Sequence, residues 1–171
     1  AAKRRYKKIY EWVPLTNISY NLRRTVIRAE DAKFYEHNGF DFEAIKNAIK
    51  KNQKKKKIKY GASTITQQLA KNLFLWPERS YLRKALEAYY TILIEIFLSK
   101  DRILELYLNV IEWGDGIYGA EAASQYYFKT TSKKLTLEQS ALLTAIIPNP
   151  RKYKINSNYV NECKEKLLNN I

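Results

Sequence analysis

At 171 residues and 46% hydrophobic composition, the chain is sized for one domain with a sizeable core. Its single cysteine, Cys163, excludes an internal disulfide, and 31 Lys and Arg against 17 acids leave a charge of +14 that favours a polyanionic partner: nucleic acid, an anionic bilayer surface or a phosphate-bearing substrate. No uninterrupted apolar run reaches the roughly eighteen residues that span a bilayer, because the best candidate, residues 85–98, is broken by Glu87 and Glu95.

The chain starts Ala-Ala-Lys rather than with Met, so a signal or membrane anchor is expected to precede it. Residues 1–13 read as a tail made basic by Lys3, Arg4, Arg5, Lys7 and Lys8, with Trp12-Val13 extended because Pro14 disfavours helix at the residue before it. A helix is predicted from about Asn21 through Glu30, delivering the adjacent carboxylates Glu30 and Asp31 at its C-terminal end. Carboxylates there oppose the helix dipole, so helix propensity does not explain them. Within fourteen residues, 28–41, the chain combines this pair with Phe34, the only histidine (His37) and the turn Asn38-Gly39. Paired carboxylates move protons at oxygen atoms, whereas a solvated helix face is the bland alternative.

Asp41 caps a following helix whose Phe42, Ile45, Ala48 and Ile49 repeat at helical spacing; Lys50 to Lys59 then predict a self-repelling loop suited to anionic headgroups. Gly61 is a hinge, and Ser63 or Thr64 an N-cap, for a helix burying Ile65, Leu69 and Leu73. On that wheel Gln67, Gln68 and Lys71 fall on other faces, with Gln67 and Lys71 one turn apart and able to present an amide and an ammonium together. After Trp76-Pro77, Ser80 caps the longest helix, about 80–98, with Leu82, Leu86, Tyr89, Leu93, Ile96 and Phe97 as its expected core stripe. Glu87, one turn from Arg83, is either half of a surface ion pair or a carboxylate at the edge of the core.

A helix from Lys100 through Ile111 leads into Trp113-Gly114-Asp115-Gly116 and Gly119, where backbone must approach something closely. Ala120 to Phe128 form a small-residue helix, Thr136 with Gln139 a capping box for a helix over about 137–147, and 158–169 a last amphipathic helix. No stretch alternates as a strand should, so the predicted class is all-α. One His and one Cys without paired spacing give no zinc site, and neither a phosphate-cradling glycine loop nor a Ser-x-x-Lys motif occurs.

Taken together, these segments resemble the peptidoglycan glycosyltransferases, which polymerise lipid II and occur alone or within class A penicillin-binding proteins. The resemblance rests first on Glu30-Asp31-x-x-Phe34-x-x-His37-x-Gly39-x-Asp41 and on Gly61-x-Ser63-Thr64-Ile65-Thr66-Gln67-Gln68-x-x-Lys71-Asn72. Arg83-Lys84-x-x-Glu87 follows, then Tyr107-Leu108-Asn109 through Gly114, Gly119, Ala122, Ala123, Tyr127 and Phe128, then Leu135-Thr136 through Ala141, Leu142 and Pro148. Where such proteins usually read Glu-Ala-Ala in the last motif, this chain has Gln139-Ser140-Ala141. The Pro148-Asn149-Pro150 ending is similar to the monofunctional branch.

The resemblance implies a lysozyme-like helical lobe over residues 14–171, with a small membrane-facing jaw at about 42–80. It implies inverting transfer that joins C1 of a growing lipid-linked glycan to the 4-hydroxyl of incoming lipid II. Carried over by position, Glu30 is the general base and Glu87 the second essential carboxylate. Asp31, Phe34, Ser63, Thr64, Gln67, Gln68, Lys71, Asn72, Arg79, Arg83 and Lys84 are the expected substrate-binding set, and His37, Gly39 and Asn109 the structural one. A pyrophosphate leaving group needs cations more than a proton donor, which is the expected task of Lys71, Arg79 and Lys84. No cofactor is required by this reading, although it leaves room for Mg2+ or Mn2+ at the pyrophosphate. Expected partners are lipid II, the growing glycan, an anionic membrane surface and other cell wall synthesis proteins, but not nucleic acid. The expected place is the extracytoplasmic face of the bacterial cytoplasmic membrane. A lysozyme-like hydrolase and a non-catalytic basic binding domain are the rival readings.

Overall fold

The computed structural model describes residues 9–55, 61–78 and 80–170. They form eight helices: α1 Tyr20–Glu30, α2 Phe42–Lys55, α3 Ile65–Phe74, α4 Tyr81–Phe97, α5 Lys100–Val110, α6 Ala120–Phe128, α7 Leu137–Ile146 and α8 Asn158–Leu168. The fold is mostly helical, as the sequence predicts, with one small addition. Strands β1 (Ile9–Tyr10), β2 (Glu112–Gly114) and β3 (Ile117–Tyr118) make a sheet in the order β1-β3-β2, β1 parallel and β2 antiparallel to β3. Strands of two or three residues are too short to alternate, so periodicity has nothing to detect. Ile9 pairs with Ile117, which means the expected tail does not reach residue 13; residues 1–8 lie outside the described residues.

The core is built on α3 and α5. Ile65 and Leu69 meet α5, whose Ile103, Leu104, Tyr107 and Leu108 are all fully buried, while α1 packs on α7 and α7 on α8. Asn109 is also buried and ties in the extended N-terminal segment: its Oδ1 accepts from the Val13 N–H at 3.0 Å, and its Nδ2 donates to the Val13 carbonyl at 2.9 Å. Helix starts follow local chemistry. Ser19, Thr64, Ser80, Ser99, Thr136 and Ser157 each accept a backbone N–H at an N-cap, and Thr64/Gln67 and Thr136/Gln139 form complete capping boxes. The departure at Gln139-Ser140 is absorbed without loss, because Gln139 serves the cap and buried Ser140 donates to the Thr136 carbonyl at 2.7 Å.

Three expectations are corrected. First, α2 does not stop before the lysines but continues through Lys50, Lys51 and Lys54 to Lys55, since Lys is a good helix former; residues 56–60 lie outside the described residues. Second, Leu73 is 41% exposed, so α3 buries Ile65 and Leu69 without it. Third, the predicted core stripe of α4 faces outward. Of that stripe Leu82, Tyr89, Ile96 and Phe97 are exposed, as is Ile92, while Leu86 and Leu93 are half-buried, and the buried side is Glu87, Thr91 and Ile94. A polar residue can occupy that side because Thr91 Oγ1 donates to the Glu87 carbonyl at 2.7 Å.

The turn after α1 locks onto α4 at Gly39. Its φ of +90° suits glycine, and a Cβ there would meet Thr91 Cγ2 at 2.8 Å and Glu95 Cγ at 3.1 Å. Gly39→Ala is expected to cost about 2–4 kcal/mol of stability through backbone strain plus overpacking, measured by denaturant unfolding.

Candidate active site

Glu30 ends α1, and the chain then turns sharply enough to bring Asp31 under the start of α3. The Asp31 carboxylate accepts from His37 Nε2 at 2.8 and 3.0 Å and from the Ile65 N–H at 3.0 Å. His37 Nδ1 accepts from the Gly39 N–H at 3.1 Å, so the ring proton sits on Nε2 and both nitrogens are occupied inside the motif. Thr64 Oγ1 donates to the Gly39 carbonyl at 2.7 Å. Asp31, His37, Gly39 and Thr64 therefore form one bracket that fixes where the first turn of α3 stands relative to Glu30.

With Asp31 occupied, Glu30 is the carboxyl left facing open space. It borders a cleft of about 500 Å³ together with Arg28, Asp41, Ser63, Gln68 and Pro148. Burial raises the Glu30 carboxyl above its ordinary value; Gln68 Nε2, donating to Oε2 at 2.7 Å, opposes this, as does the Lys71 charge, while Asp31 adds to the rise. Gln68 Oε1 in turn accepts from the Tyr107 hydroxyl at 2.9 Å.

Glu87 lies on the buried side of α4, its side chain 5% exposed, with Lys84 Nζ at 2.5 Å and Arg83 Nη1 at 3.7 Å. Of the two readings left open by the sequence, this is the carboxylate at the core edge. Lys84 is half exposed and borders a second cleft of about 320 Å³, which shares Ala62 and Ser63 with the first. Glu87 thus reaches the second cleft through Lys84. A third cleft of about 400 Å³ is bordered by Lys71, Asn72, Trp76, Tyr118 and Arg151, the last held by Glu112 at 3.0 Å.

The structure brings Glu30, Asp31, Ser63, Thr64 and Gln68 to the first cleft and Ser63, Gln67 and Lys84 to the second, while Lys71 and Asn72 border the third. Gln67 is largely buried, its Oε1 accepting from the Thr64 N–H at 3.0 Å, and it borders the second cleft whereas Lys71 borders the third, so the two do not share a cleft. Phe34 is fully buried in the core, edge-on to Tyr35 and beneath the Lys100 ammonium at 4.7 Å. Arg79 lies outside the described residues. Tyr107, Arg28 and Arg151 carry no site role in the sequence reading, although Tyr107 opens one of the resembling motifs; it sits on an apolar helix face, where its hydroxyl leaves no periodic signal.

Among the described residues, no group of three or more His, Cys, Asp or Glu is placed to hold a metal ion. The Glu87 carboxylate is taken up by Lys84 and Arg83.

Residues 2–170 match the family model described as Transglycosylase. The chain is 55% identical over 163 residues to the biosynthetic peptidoglycan transglycosylase of Bdellovibrio bacteriovorus, covering 94% of this chain and 65% of that protein. It is 58% identical over 146 residues to the protein of that description from Caulobacter vibrioides, with 85% and 63% covered. For the Haemophilus influenzae protein so described the figures are 55% over 152 residues, with 89% and 63% covered. The chain therefore spans a little under two thirds of the length of these relatives.

Proposed function

The chain belongs to the Transglycosylase family, and on that premise we propose that it polymerises lipid II into β-1,4-linked glycan during cell wall synthesis. The observation that carries this reading is Glu30, a carboxyl raised by burial that still opens onto a cleft. Glu30 takes the proton of the acceptor 4-hydroxyl as that oxygen bonds to C1 of the donor sugar, and the C1–O bond to pyrophosphate breaks on the opposite face. One displacement inverts the anomeric centre. The pyrophosphate leaves as an anion and needs no proton; Lys84, on the cleft that shares Ser63 with that of Glu30, neutralises it, and the Lys71 charge, which reaches Glu30, adds to the positive field. Ser63, exposed between the first two clefts, is placed to hold a sugar or phosphate oxygen. Glu87 keeps Lys84 aimed at the groove. Incubation with lipid II against preformed glycan tests this reading: strand growth supports it, and shortening of preformed strands with lipid II unused supports a hydrolase instead.

The same reading accounts for the outward apolar stripe of α4. Leu82, Tyr89, Ile92 and Ile96 recur at helical spacing on the exposed side, with Phe74 and Trp76 also exposed and α2 contributing Phe42, Ile49 and its lysines. No helix among the described residues is long and apolar enough to cross a membrane. An apolar face beside cations supports the reading in which residues of about 42–80, with α4, are the jaw that docks on an anionic bilayer surface and meets the lipid-linked substrate on the extracytoplasmic face. Ile96→Asp combined with Leu82→Asp is expected to weaken binding to phosphatidylglycerol vesicles by about tenfold or more without changing the circular dichroism spectrum. Unchanged sedimentation with vesicles would remove α4 from the docking face.

A further inference from the structure

We propose that the Tyr107 hydroxyl is a positioning group for Glu30: it fixes which end of the Gln68 amide faces the carboxylate. This rests on the reading of Glu30 as the base.

An amide can turn either end toward a neighbour, and the two ends have opposite effects. With Nε2 toward Glu30, as observed at 2.7 Å, Gln68 donates to the ionised carboxylate and favours it. With Oε1 toward Glu30, it would favour the protonated acid, and a base that holds its proton cannot take another. Gln68 is only partly buried, so nothing about its exposure decides between the two ends. What decides is the far end of the amide. Tyr107 is fully buried, its hydroxyl stays protonated because burial and the nearby Glu30 and Asp31 charges push its pKa well up, and its hydroxyl oxygen lies 2.9 Å from Gln68 Oε1. Turning the amide over would put an N–H where that proton now finds its acceptor, stranding a buried O–H. The chain of donors therefore runs one way, from α5 through α3 to the end of α1.

Other groups facing Glu30 do not supply this orientation. Arg28 and Asp41 border its cleft, Asp31 and Lys71 act on it through charge alone, and Tyr159, Cys163 and Lys166 reach it only across a separate hollow of about 260 Å³ beside α8. They form a background that a change at Tyr107 leaves in place.

Tyr107→Phe removes the hydroxyl and keeps the ring that fills the core. In a lipid II polymerisation assay, the acid limb of kcat/KM is expected to move to higher pH by roughly 0.5–1 unit, with most of the rate recovered above it. In a Gln68→Met background the same change is expected to leave the limb where it was, because the coupling runs through the amide. A rate reduced equally at every pH, or a limb that moves as far in the Gln68→Met background, would overturn the proposal. A wild-type protein that forms no strand from lipid II would instead overturn the reading of Glu30 on which it rests.

Discussion

Glu30→Gln is expected to lower lipid II polymerisation by roughly 10²- to 10⁴-fold, the range over which a positioned general base accelerates a reaction. Substrate binding should survive, because Gln keeps the shape and can still pair with Gln68. The variant should also be no less stable than the wild type at neutral pH. Burial holds the Glu30 carboxyl above its ordinary value of 4.5, so the folded chain binds that proton more tightly than the unfolded chain. The stability this provides is fully present below the unfolded value and is lost as pH rises through the folded one. Above the folded value the wild type carries an ionised, desolvated carboxylate that Gln lacks. Melting temperatures of the two proteins should therefore differ in favour of Gln at pH 7 and converge on acidification. Polymerisation by the variant at the wild-type rate would remove Glu30 from the chemistry.

The second large effect is expected at Glu87. Its carboxylate is nearly inaccessible and holds Lys84, half exposed, and Arg83, 11% exposed. Glu87→Gln leaves the Arg83 charge in a dry site without its counterion, at a cost of about 1–3 kcal/mol, less than for a fully buried pair because Lys84 can turn to water. The larger consequence is for turnover. An untethered Lys84 no longer points reliably at the leaving pyrophosphate, and kcat should fall by about 100-fold or more with a smaller change in KM. If turnover is unaltered while the melting temperature drops, Glu87 is a structural ion pair and nothing more.

Much of this site is legible in the chain because its parts are local. The Asn38-Gly39 turn, the Asp41 cap that accepts from the Ala44 N–H, and the Thr136/Gln139 box are each set by residues within a few positions of one another. Thr64 and Gln67 obey the same Thr-x-x-Gln rule as Thr136 and Gln139, yet the adjacent Gln68 made the pair look like a binding element. The fold divides them, Gln67 to the cap and Gln68 to Glu30. The face of α4 was not legible for a different reason. Its apolar residues define a stripe, and periodicity says where a stripe runs but not whether protein or solvent covers it. The inner side of α4 is set by what packs on it: α3 lies against it, with the Thr66 hydroxyl donating to Glu95 at 2.5 Å, and the Gly39 turn closes on Thr91, while the polar partners of Glu87 and Thr91 come from α4 itself. Asp31 likewise reads as half of a catalytic pair in one dimension, and His37 and the Ile65 N–H, six and 34 positions away, claim it in three.

The pH dependence of lipid II polymerisation, run on the wild type beside Glu30→Gln, separates a proton-accepting Glu30 from any other role. The wild-type rate should climb with pH through an acid limb lying above 4.5, the ordinary value for this carboxyl, while the residual rate of the variant stays flat across the same interval. A limb that persists unmoved after the substitution would mean that some other group takes the proton.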